Sequence, residues 1–496
     1  MMQVSQAVHD LVTIAIENGR IQAEDRVYQQ NMLLRLIGAT NFEPVAQTIE
    51  KDPLRLLDAL LEQARQAGEI NTAVNEDMMT ALIMDTITPL PSQVNHNFWH
   101  KYDESPQAAT NYFYQLSQQN DYIKTRAIAK NIHYYGDSPY GQMEITINLS
   151  KPEKDPKAIA TAAQLPPHQY PQCALCMENE GFFGSLNQAG RTNHRVVHLQ
   201  LQGTDWGFQY SPYAYFKEHA IVLNHEHRPM IVNRASLERL ADFVEQFPHY
   251  MIGSNADLPI VGGSILTHDH YQAGQHEFPM AKAPLRKTFS LADFPEVQFG
   301  IVEWPMSVIR LKSNDKQQLI EAAERVMNHW NQYSQPSLSI NAFDTKGQRH
   351  HTITPIMRRR GADFELDLIL RDNNVSAEFP DGIFHPHPDV QHIKKENIGL
   401  IEVMGLAILP PRLVPELAEV KKALQGLPAD VAPMHQPWLS RLEAGAFDAN
   451  DPQAVDQYVD QAVADVFTRV LEDAGVFKKD AAGQQGFDAF IASLNE

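Results

Sequence analysis

The stretch Val261-Gly-Gly-Ser-Ile-Leu-Thr-His-Asp-His-Tyr-Gln272 sets two glycines ahead of two histidines that are separated by one residue. Alternate side chains of an extended chain share a face, so an extended segment over 265–272 would point His268, His270 and Gln272 the same way. A neutral imidazole is a nucleophile near pH 7, and an amide beside it can donate to an oxyanion. A His-x-His pair alone is more typical of an ordinary surface strand, but the glycines, the glutamine and a Cys-x-x-Cys upstream favour a catalytic site. The pattern predicts His270 as nucleophile, supported by Gln272.

Cys173 and Cys176 are the two cysteines of the chain, so a disulfide framework is excluded. Their Cys-x-x-Cys spacing is that of one half of a tetrahedral zinc site, and histidines would have to supply the other ligands. The candidates are His268 together with either His227 or His225. A closed site with four protein ligands would be structural and would fix the chain just before the predicted nucleophile. The other interpretation is a buried or redox-active thiol pair.

A second, weaker candidate for a metal cluster is His385-x-His387 with His392. Neighbouring prolines indicate a stiff loop there, because proline fixes its own φ angle. The spacing favours ligation less strongly than the Cys-x-x-Cys spacing does.

A lysine-rich loop, 150–157, follows the alternating strand pattern of 143–149. Its lysines include Lys151 and Lys154, and it also contains two prolines. Such a loop is either a solvated connection or a surface that faces a phosphate, and the sequence favours neither. We retain the two lysines as candidate substrate-binding residues.

Composition excludes several classes of function. The chain has 41 basic and 61 acidic residues and a formal net charge of -20, which argues against a nucleic-acid surface. No apolar run approaches the ~18 residues of a membrane span. The first residues show neither the basic nor the apolar part of a signal peptide. We therefore expect a cytoplasmic protein with small-molecule partners, and an anionic substrate would need a local cluster of cations.

Apolar periodicity divides the chain into four regions. Residues 1–92 and 412–496 have helical periodicity. Residues 93–277 and 278–411 mix strand and helix patterns with a similar rhythm, which is compatible with an old duplication. The predicted fold class is α+β, with two mixed halves flanked by helical N- and C-terminal regions.

Five segments carry a resemblance to a known family. They are Cys173-Ala-Leu-Cys-Met-Glu-Asn-Glu-Gly181, Gln209-Tyr-Ser-Pro-Tyr213, the whole of 254–272, Ile383-Phe-His-Pro-His387 and Lys394-Lys-Glu-Asn-Ile-Gly-Leu-Ile-Glu-Val-Met404. Together they resemble the hexose-1-phosphate uridylyltransferases of the long bacterial class, which belong to the histidine-triad superfamily. The similarity runs over nearly the whole chain. It implies that both mixed halves are histidine-triad-like, with antiparallel sheets.

The resemblance implies a nucleotidyltransferase of galactose metabolism with a ping-pong reaction. His270 would attack the α-phosphorus of UDP-glucose, release glucose 1-phosphate and carry the uridylyl group to galactose 1-phosphate. Gln272 would steady the phosphoryl oxygens at the place where hydrolases of the superfamily have a third histidine. A neutral amide cannot protonate a leaving group, and a phosphate leaving group needs little protonation.

Further roles also come from the resemblance. Asn255 and Ser264 would line the nucleotide phosphates, and Lys395 would approach the hexose phosphate. The set Cys173, Cys176, His268 and a histidine near 227 would hold zinc, and the chain would form a homodimer.

Two departures from the short class of the family matter. Asp269 replaces the proline between the paired histidines, and alternation turns its side chain to the opposite face, so we expect no direct chemistry from it. Glu365-Leu-Asp367 stands where that class has the His-x-His of a second metal site. A second metal is therefore not expected.

Two other functions remain as alternatives. One is a nucleotidyl hydrolase or phosphorylase of the same superfamily. The other is a non-catalytic protein that binds a sugar or nucleotide through the aromatic-rich block 98–140. Such aromatic density is more typical of a core than of a binding surface.

Overall fold

The computed structural model describes residues 2–150, 170–185, 188–263 and 265–495, and it divides into two compact units. The first unit runs over Met1–Ala127, Lys151–Ala214 and Glu218–Arg228. The second runs over Ile128–Ser150, Tyr215–Lys217 and Pro229–Glu496.

Three of the predicted substrate-binding residues, Lys151, Lys154 and Ser264, lie outside the described residues. Their roles stay predictions.

The strands of the described residues, numbered in chain order, are β1 (Ile132–Gly136), β2 (Met143–Ile147), β3 (Val197–Leu201), β4 (Thr204–Tyr210), β5 (Ala220–Asn224), β6 (Met251–Gly253), β7 (His270–Gly274), β8 (Leu285–Phe289), β9 (Gln298–Val302), β10 (Val308–Ser313), β11 (His351–Arg360), β12 (Asp363–Asp372) and β13 (Leu406–Leu409).

The α-helices of the same ranges are α1 (Val4–Glu17), α2 (Arg26–Leu36), α3 (Pro53–Gln66), α4 (Ala73–Asp85), α5 (Pro91–Glu104), α6 (Pro106–Gln119), α7 (Thr125–Ile128), α8 (Arg234–Gln246), α9 (Pro279–Lys282), α10 (Lys316–Trp330), α11 (Leu400–Val403), α12 (Leu413–Leu424), α13 (Gln436–Glu443), α14 (Pro452–Ala474) and α15 (Ala481–Ser493). Single 3₁₀ turns are Ala23–Asp25, Met177–Asn179, Pro336–Leu338 and Pro433–His435. None of the described helices is long and apolar enough to cross a membrane.

The first unit begins with a helical core that local sequence explains. In α3, Asp52 caps the helix by accepting from Leu54 N, and proline occupies the first turn. Leucines 56, 57, 60 and 61 recur at helical spacing and are buried. They pack with buried residues of α1, α2 and α4.

The aromatic block contributes to the core of this unit. Phe98 of α5 and Phe113 of α6 are buried, with ring centroids 6.2 Å apart. Phe208 and Tyr210 of β4 complete the cluster, at 5.8 Å and 5.2 Å from the ring of Phe113. Strand β4 is paired antiparallel with β3 and with β5. These rings therefore pack helices onto a sheet, as the density of aromatics predicts.

The second unit contains a three-stranded and a seven-stranded sheet. In the smaller one, β2 pairs antiparallel with β1 and parallel with β13. In the larger one the order is β7-β6-β11-β12-β10-β9-β8, and every neighbouring pair is antiparallel. Helix α8 packs on β6 and β11, and α10 packs on β10, β11 and β12. The predicted α+β class, with predominantly antiparallel sheets, is confirmed. The four domain limits stay predictions.

A buried ion-pair network crosses the middle of the larger sheet. Arg310 of β10 faces Asp367 of β12 in register and donates to both of its carboxylate oxygens, at 2.6 and 3.0 Å. From β11, Arg358 donates to Asp367 at 2.6 Å and to Glu365 at 2.7 Å. Burial alone would raise the pKa of Asp367, but Arg358 and Arg310 together lower it. The charges are compensated within the sheet.

Candidate functional site

His270 is the first residue of β7, and it is buried. Its Nδ1 lies 2.8 Å from the carbonyl oxygen of His268, which can only accept, so Nδ1 carries the proton. The lone pair of the ring is then on Nε2. Burial lowers the pKa of His270 to about 4, so the imidazole is neutral near pH 7. A buried, neutral imidazole with a fixed tautomer has the properties of a nucleophile.

The prediction that 265–272 is one extended strand is wrong in its first half. The strand begins at His270, and the residues just before it form a bend. The alternation argument holds for His270 and Gln272, which share a face of β7. His268 lies in the bend and orients His270 through its backbone carbonyl.

Asn255 lies in the loop that leads toward this strand. Gly253 of β6 pairs with Gln272 of β7, so Asn255 follows on the side of the pair where His270 stands. Its Oδ1 accepts from Leu400 N at 2.9 Å, at the start of α11. The amide is therefore held between the loop and that helix.

Gly262 and Gly263 let the loop before β7 pack closely against neighbouring atoms. A Cβ on Gly263 would stand 2.8 Å from Nδ2 of Asn255, and one on Gly262 would stand 2.6 Å from two backbone oxygens. Both positions therefore require glycine for close approach, although neither φ angle does.

Tyr271 lies on the face of β7 opposite His270, and Asp269 immediately precedes the strand. Both are buried, and both meet Arg239 of α8, whose Nη1 lies 3.9 Å from Asp269 Oδ2 and donates to the Tyr271 hydroxyl at 3.4 Å. This contact anchors the segment, and the expectation that Asp269 has no direct part in the chemistry stays a prediction. Sequence reasoning missed Arg239, since only an amphipathic helix pattern surrounds it.

The cysteine knuckle and His227 form a compact donor set in the first unit. Cys173 Sγ and Cys176 Sγ are 3.5 Å apart, and they are not joined in a disulfide. Cys176 Sγ lies 3.2 Å from His227 Nδ1, and the backbone amides of Cys173 and Leu175 point at the sulfurs from 3.4 Å. Burial raises the pKa of the Cys176 thiol to about 11, which a bound cation would reverse.

One ligand atom from each of Cys173, Cys176, His227 and His268 lies within 4.8 Å of the others. Tetrahedral zinc, with Zn–S bonds of ~2.3 Å and Zn–N bonds of ~2.0 Å, needs donor atoms closer together than this limit. The donor chemistry and the spacing fit a structural metal. Of the two histidines that the sequence left open, His227 belongs to this group, and His225 instead meets the ring of His198 edge-on at 5.1 Å.

The weaker metal candidate is not assembled among the described residues. His385 Nε2 lies 3.3 Å from Asn397 Oδ1, and His392 Nδ1 lies 3.1 Å from a backbone oxygen. His387 stacks on Phe379 at 4.0 Å. Glu365 and Asp367 form the ion pairs with arginines described above, and the absence of a second metal at these residues stays a prediction.

Lys395, predicted to approach a hexose phosphate, is exposed at the surface. Its neighbour Lys394 is buried and donates to Glu402 Oε1 and to the Ile408 carbonyl, each at 3.0 Å. Burial opposes the charge on Lys394, but Glu402 and Glu396 raise its pKa above the ordinary value. Lys394 therefore anchors the segment, and Lys395 is the lysine available to a ligand.

Two family models match the chain. The model described as "Galactose-1-phosphate uridyl transferase, N-terminal domain" matches residues 19–229, and the one described as its C-terminal domain matches residues 214–439.

Full-length relatives agree with these models. A galactose-1-phosphate uridylyltransferase of Enterococcus faecalis is 52% identical over 100% of this chain and 99% of its own length. One of Lactiplantibacillus plantarum is 55% identical over 95% of this chain and 96% of its own length. Among solved structures, that of yeast Ap4A phosphorylase Apa2 in complex with AMP is 11% identical, with a TM-score of 0.30, over 58% of this chain and 86% of that one.

The family models and the full-length relatives thus confirm the family resemblance seen in the sequence. The chain belongs to the galactose-1-phosphate uridyl transferase family.

Proposed function

We propose that this chain is a UDP-glucose–hexose-1-phosphate uridylyltransferase that works through a covalent uridylyl-histidine. The observation that carries the proposal is His270, a buried neutral imidazole whose Nδ1 donates to the carbonyl of His268 and whose Nε2 keeps its lone pair. The full-length relatives, named galactose-1-phosphate uridylyltransferase, support this choice of reaction.

In the first step, Nε2 of His270 forms a bond to the α-phosphorus of UDP-glucose. The bond from that phosphorus to the bridging oxygen breaks, and glucose 1-phosphate leaves with the electron pair. In the second step, a phosphate oxygen of galactose 1-phosphate attacks the same phosphorus, and the P–N bond returns its electrons to Nε2. The products are UDP-galactose and a free imidazole, so no water and no redox partner is consumed.

The side chains around the nucleophile have binding roles in this proposal. The amide of Gln272, on the same strand face, donates to the phosphoryl oxygens as charge develops there. Asn255 and Ser264 line the nucleotide phosphates. Lys395, Lys151 and Lys154 supply local positive charge to anionic substrates of a chain whose formal net charge is -20.

We also propose that Cys173, Cys176, His227 and His268 hold a structural zinc ion. Four protein donors leave no open position for a substrate, so the ion would brace the segment before His270 and take no part in the bond changes. On the family resemblance we further propose that the chain works as a homodimer in the cytoplasm.

Mass spectrometry of the protein after incubation with UDP-glucose alone tests the nucleophile. We expect the mass to rise by one uridylyl group, and we expect peptide mapping to place it on His270. Galactose 1-phosphate should then remove it. A His270→Gly variant should gain no mass, whereas His387→Gly should label like the natural chain. An adduct on another residue would overturn the assignment.

The same incubation separates the alternatives. Release of free UMP from UDP-glucose without galactose 1-phosphate would indicate a hydrolase. Formation of UDP and glucose 1-phosphate from UDP-glucose and inorganic phosphate would indicate a phosphorylase. Binding of UDP-glucose without any adduct or turnover would indicate a binding protein. The proposed transferase predicts UDP-galactose, and repeated turnover of UDP-glucose, only when galactose 1-phosphate is present.

A further inference from the structure

A polar cavity lies in the first unit, beside the N-terminal end of α5. Its volume is about 290 Å³, at the lower limit of the ~300–1,000 Å³ of small-molecule sites. It is lined by Gly19, Arg20, Gln22, Pro89, Ser92, Gln93, His96 and Asn97. No carboxylate lines the cavity, so its character is cationic and hydrogen-bonding.

Arg20 is the arginine of this lining and is buried, with 7% of its surface exposed. The C-terminal end of α1 fixes its position. Gly19, at φ +66°, donates to Ile16 O, and Arg20 N donates to Ala15 O at 2.9 Å, which is the Schellman arrangement. The guanidinium then enters the unit beside α5 and α6.

The hydrogen bonds of this guanidinium are incomplete within the described chain. Nη2 donates to Gln119 Oε1, while Nη1 is buried with no hydrogen-bond partner. Arg20 forms no ion pair with a carboxylate among the described residues, and burial is the main influence on its charge. Burial lowers the pKa of Arg20 to about 10, so the group is still a cation at neutral pH.

An uncompensated buried cation is costly, and proteins normally pair such a charge. Here a second feature of the same sign adjoins it, since the cavity lies at the positive end of the α5 dipole. In the first turn of α5, Pro91 has no N–H and Gln93 N donates to Leu90 O, so the N–H of Ser92 is the one left for a ligand among these residues. Ser92 and Asn97 add a hydroxyl and an amide at the same cavity. Both features favour a bound anion.

We propose that this cavity is a binding site for a small phosphomonoester, whose phosphate pairs with Arg20 at the start of α5. The cavity is several times larger than a phosphate group, and its amide and hydroxyl lining suits the polar remainder of such a molecule. The lining residues of this cavity are not among the residues proposed for uridylyl transfer, and a bound ligand would stabilise the first unit.

Calorimetric titration of the full chain tests the proposal, with inorganic phosphate and glycerol 1-phosphate as the probes. We expect the natural chain and Ser92→Gln to bind glycerol 1-phosphate at this site. Ser92→Glu should lose that site because its carboxylate pairs with Arg20 and repels the phosphate. Arg20→Met should lose it too, and Arg126→Met, which removes a half-exposed arginine paired with Asp58, should not.

Thermal unfolding supplies a second measurement. In buffer without phosphate, Arg20→Met and Ser92→Glu should unfold at or above the midpoint of the natural chain, because the first removes the uncompensated charge and the second pairs it with a carboxylate. Glycerol 1-phosphate should raise the midpoint of the natural chain and of Ser92→Gln alone among these four proteins.

Three results would overturn the proposal. The first is binding of glycerol 1-phosphate by Ser92→Glu with the stoichiometry and affinity of the natural chain. The second is a titration in which Arg20→Met and Ser92→Glu bind no less glycerol 1-phosphate than the natural chain does. The third is binding of glycerol 1-phosphate no tighter than that of inorganic phosphate, which would contradict the phosphomonoester assignment.

Discussion

The chain contains two His-x-His stretches that follow glycines, and the structure treats them differently. His270 begins a strand, is buried and neutral, and is held by one bond from Nδ1. His387 lies in a proline-bordered loop, where its Nε2 meets the Ile383 carbonyl at 3.0 Å and its Nδ1 meets Asp473 at 3.4 Å. Both nitrogens of His387 are therefore engaged.

The difference teaches that spacing selects candidates, while the partners of each ring nitrogen decide the chemistry. A histidine with one nitrogen bound to a carbonyl keeps a lone pair on the other, and a histidine with both nitrogens bound is a structural tie.

The largest expected effect is the difference in kcat between variants of His270 and of His387. His270→Gly should lower kcat for uridylyl transfer by about 10⁴-fold or more, because the covalent route is lost. His387→Gly should keep kcat near that of the natural chain and lower only the unfolding midpoint. Steady-state kinetics with UDP-glucose and galactose 1-phosphate measures both, and equal losses in the two variants would contradict the comparison.

Removal of a metal ligand should have the next largest effect. Cys176→Ser should abolish bound zinc and cost at least about 3 kcal/mol of unfolding free energy, a part of the ~10–16 kcal/mol that structural zinc supplies. His225→Gln, outside the donor set, should retain one zinc ion per chain. Metal analysis and chemical denaturation measure the pair, and a fully active natural chain that contains no metal would disprove the site.

Loss of the close approach at Gly263 should have a smaller effect. Gly263→Ala drives a methyl group against Asn255 Nδ2, so we expect about 2 kcal/mol of destabilisation and about a tenfold loss of kcat/KM. Gly141→Ala is the control, since its φ of +104° strains the backbone in open space. It should cost about 1 kcal/mol and leave kcat/KM unchanged. A similar loss of activity in both would remove the steric explanation.

The smallest effect concerns a third set of histidines, His133 and His276, which share the buried carboxylate of Glu144 at 2.7 and 2.8 Å. Burial opposes ionisation, but the two histidines lower the pKa of Glu144 below its ordinary value. This contribution is present above the pKa of the unfolded chain and is lost as pH falls through the lower folded value.

Glu144→Gln should therefore cost about 1–2 kcal/mol in urea at pH about 6 and almost nothing at pH about 3. Glu443→Gln, on the exposed end of α13, should match the natural chain at both values. A cost for Glu144→Gln that does not change with pH would rule out the ion pairs as its cause.

Much of the fold and of the candidate site could be predicted from the sequence, because these features depend on residues that are close together in the chain. The pattern of buried leucines in α3, the Cys-x-x-Cys knuckle and the placement of His270 on a strand all follow from short spacings. The bend before His270 was not predictable, because the alternation of Ile265 to Gln272 continues through it.

The partners that come from distant segments were also not predictable. Arg239 meets Asp269 and Tyr271 across 30 or more residues, and Asn255 meets Leu400 across 145. Which of His225 and His227 joins the cysteines depends on the direction of a loop rather than on spacing. Pairings of this kind arise only when the sheets assemble.

The ion-pair network of Arg310, Asp367 and Arg358 has a consequence for how the large sheet assembles. Side chains alternate along a strand, so a shift of β12 by one residue would turn Asp367 to the other face and leave both guanidinium groups buried without a counter-ion. The free energy of a misaligned sheet is therefore raised by two unpaired buried charges, whereas the apolar residues beside them would tolerate the shift. The network thus favours the observed register of β12 over a register shifted by one residue.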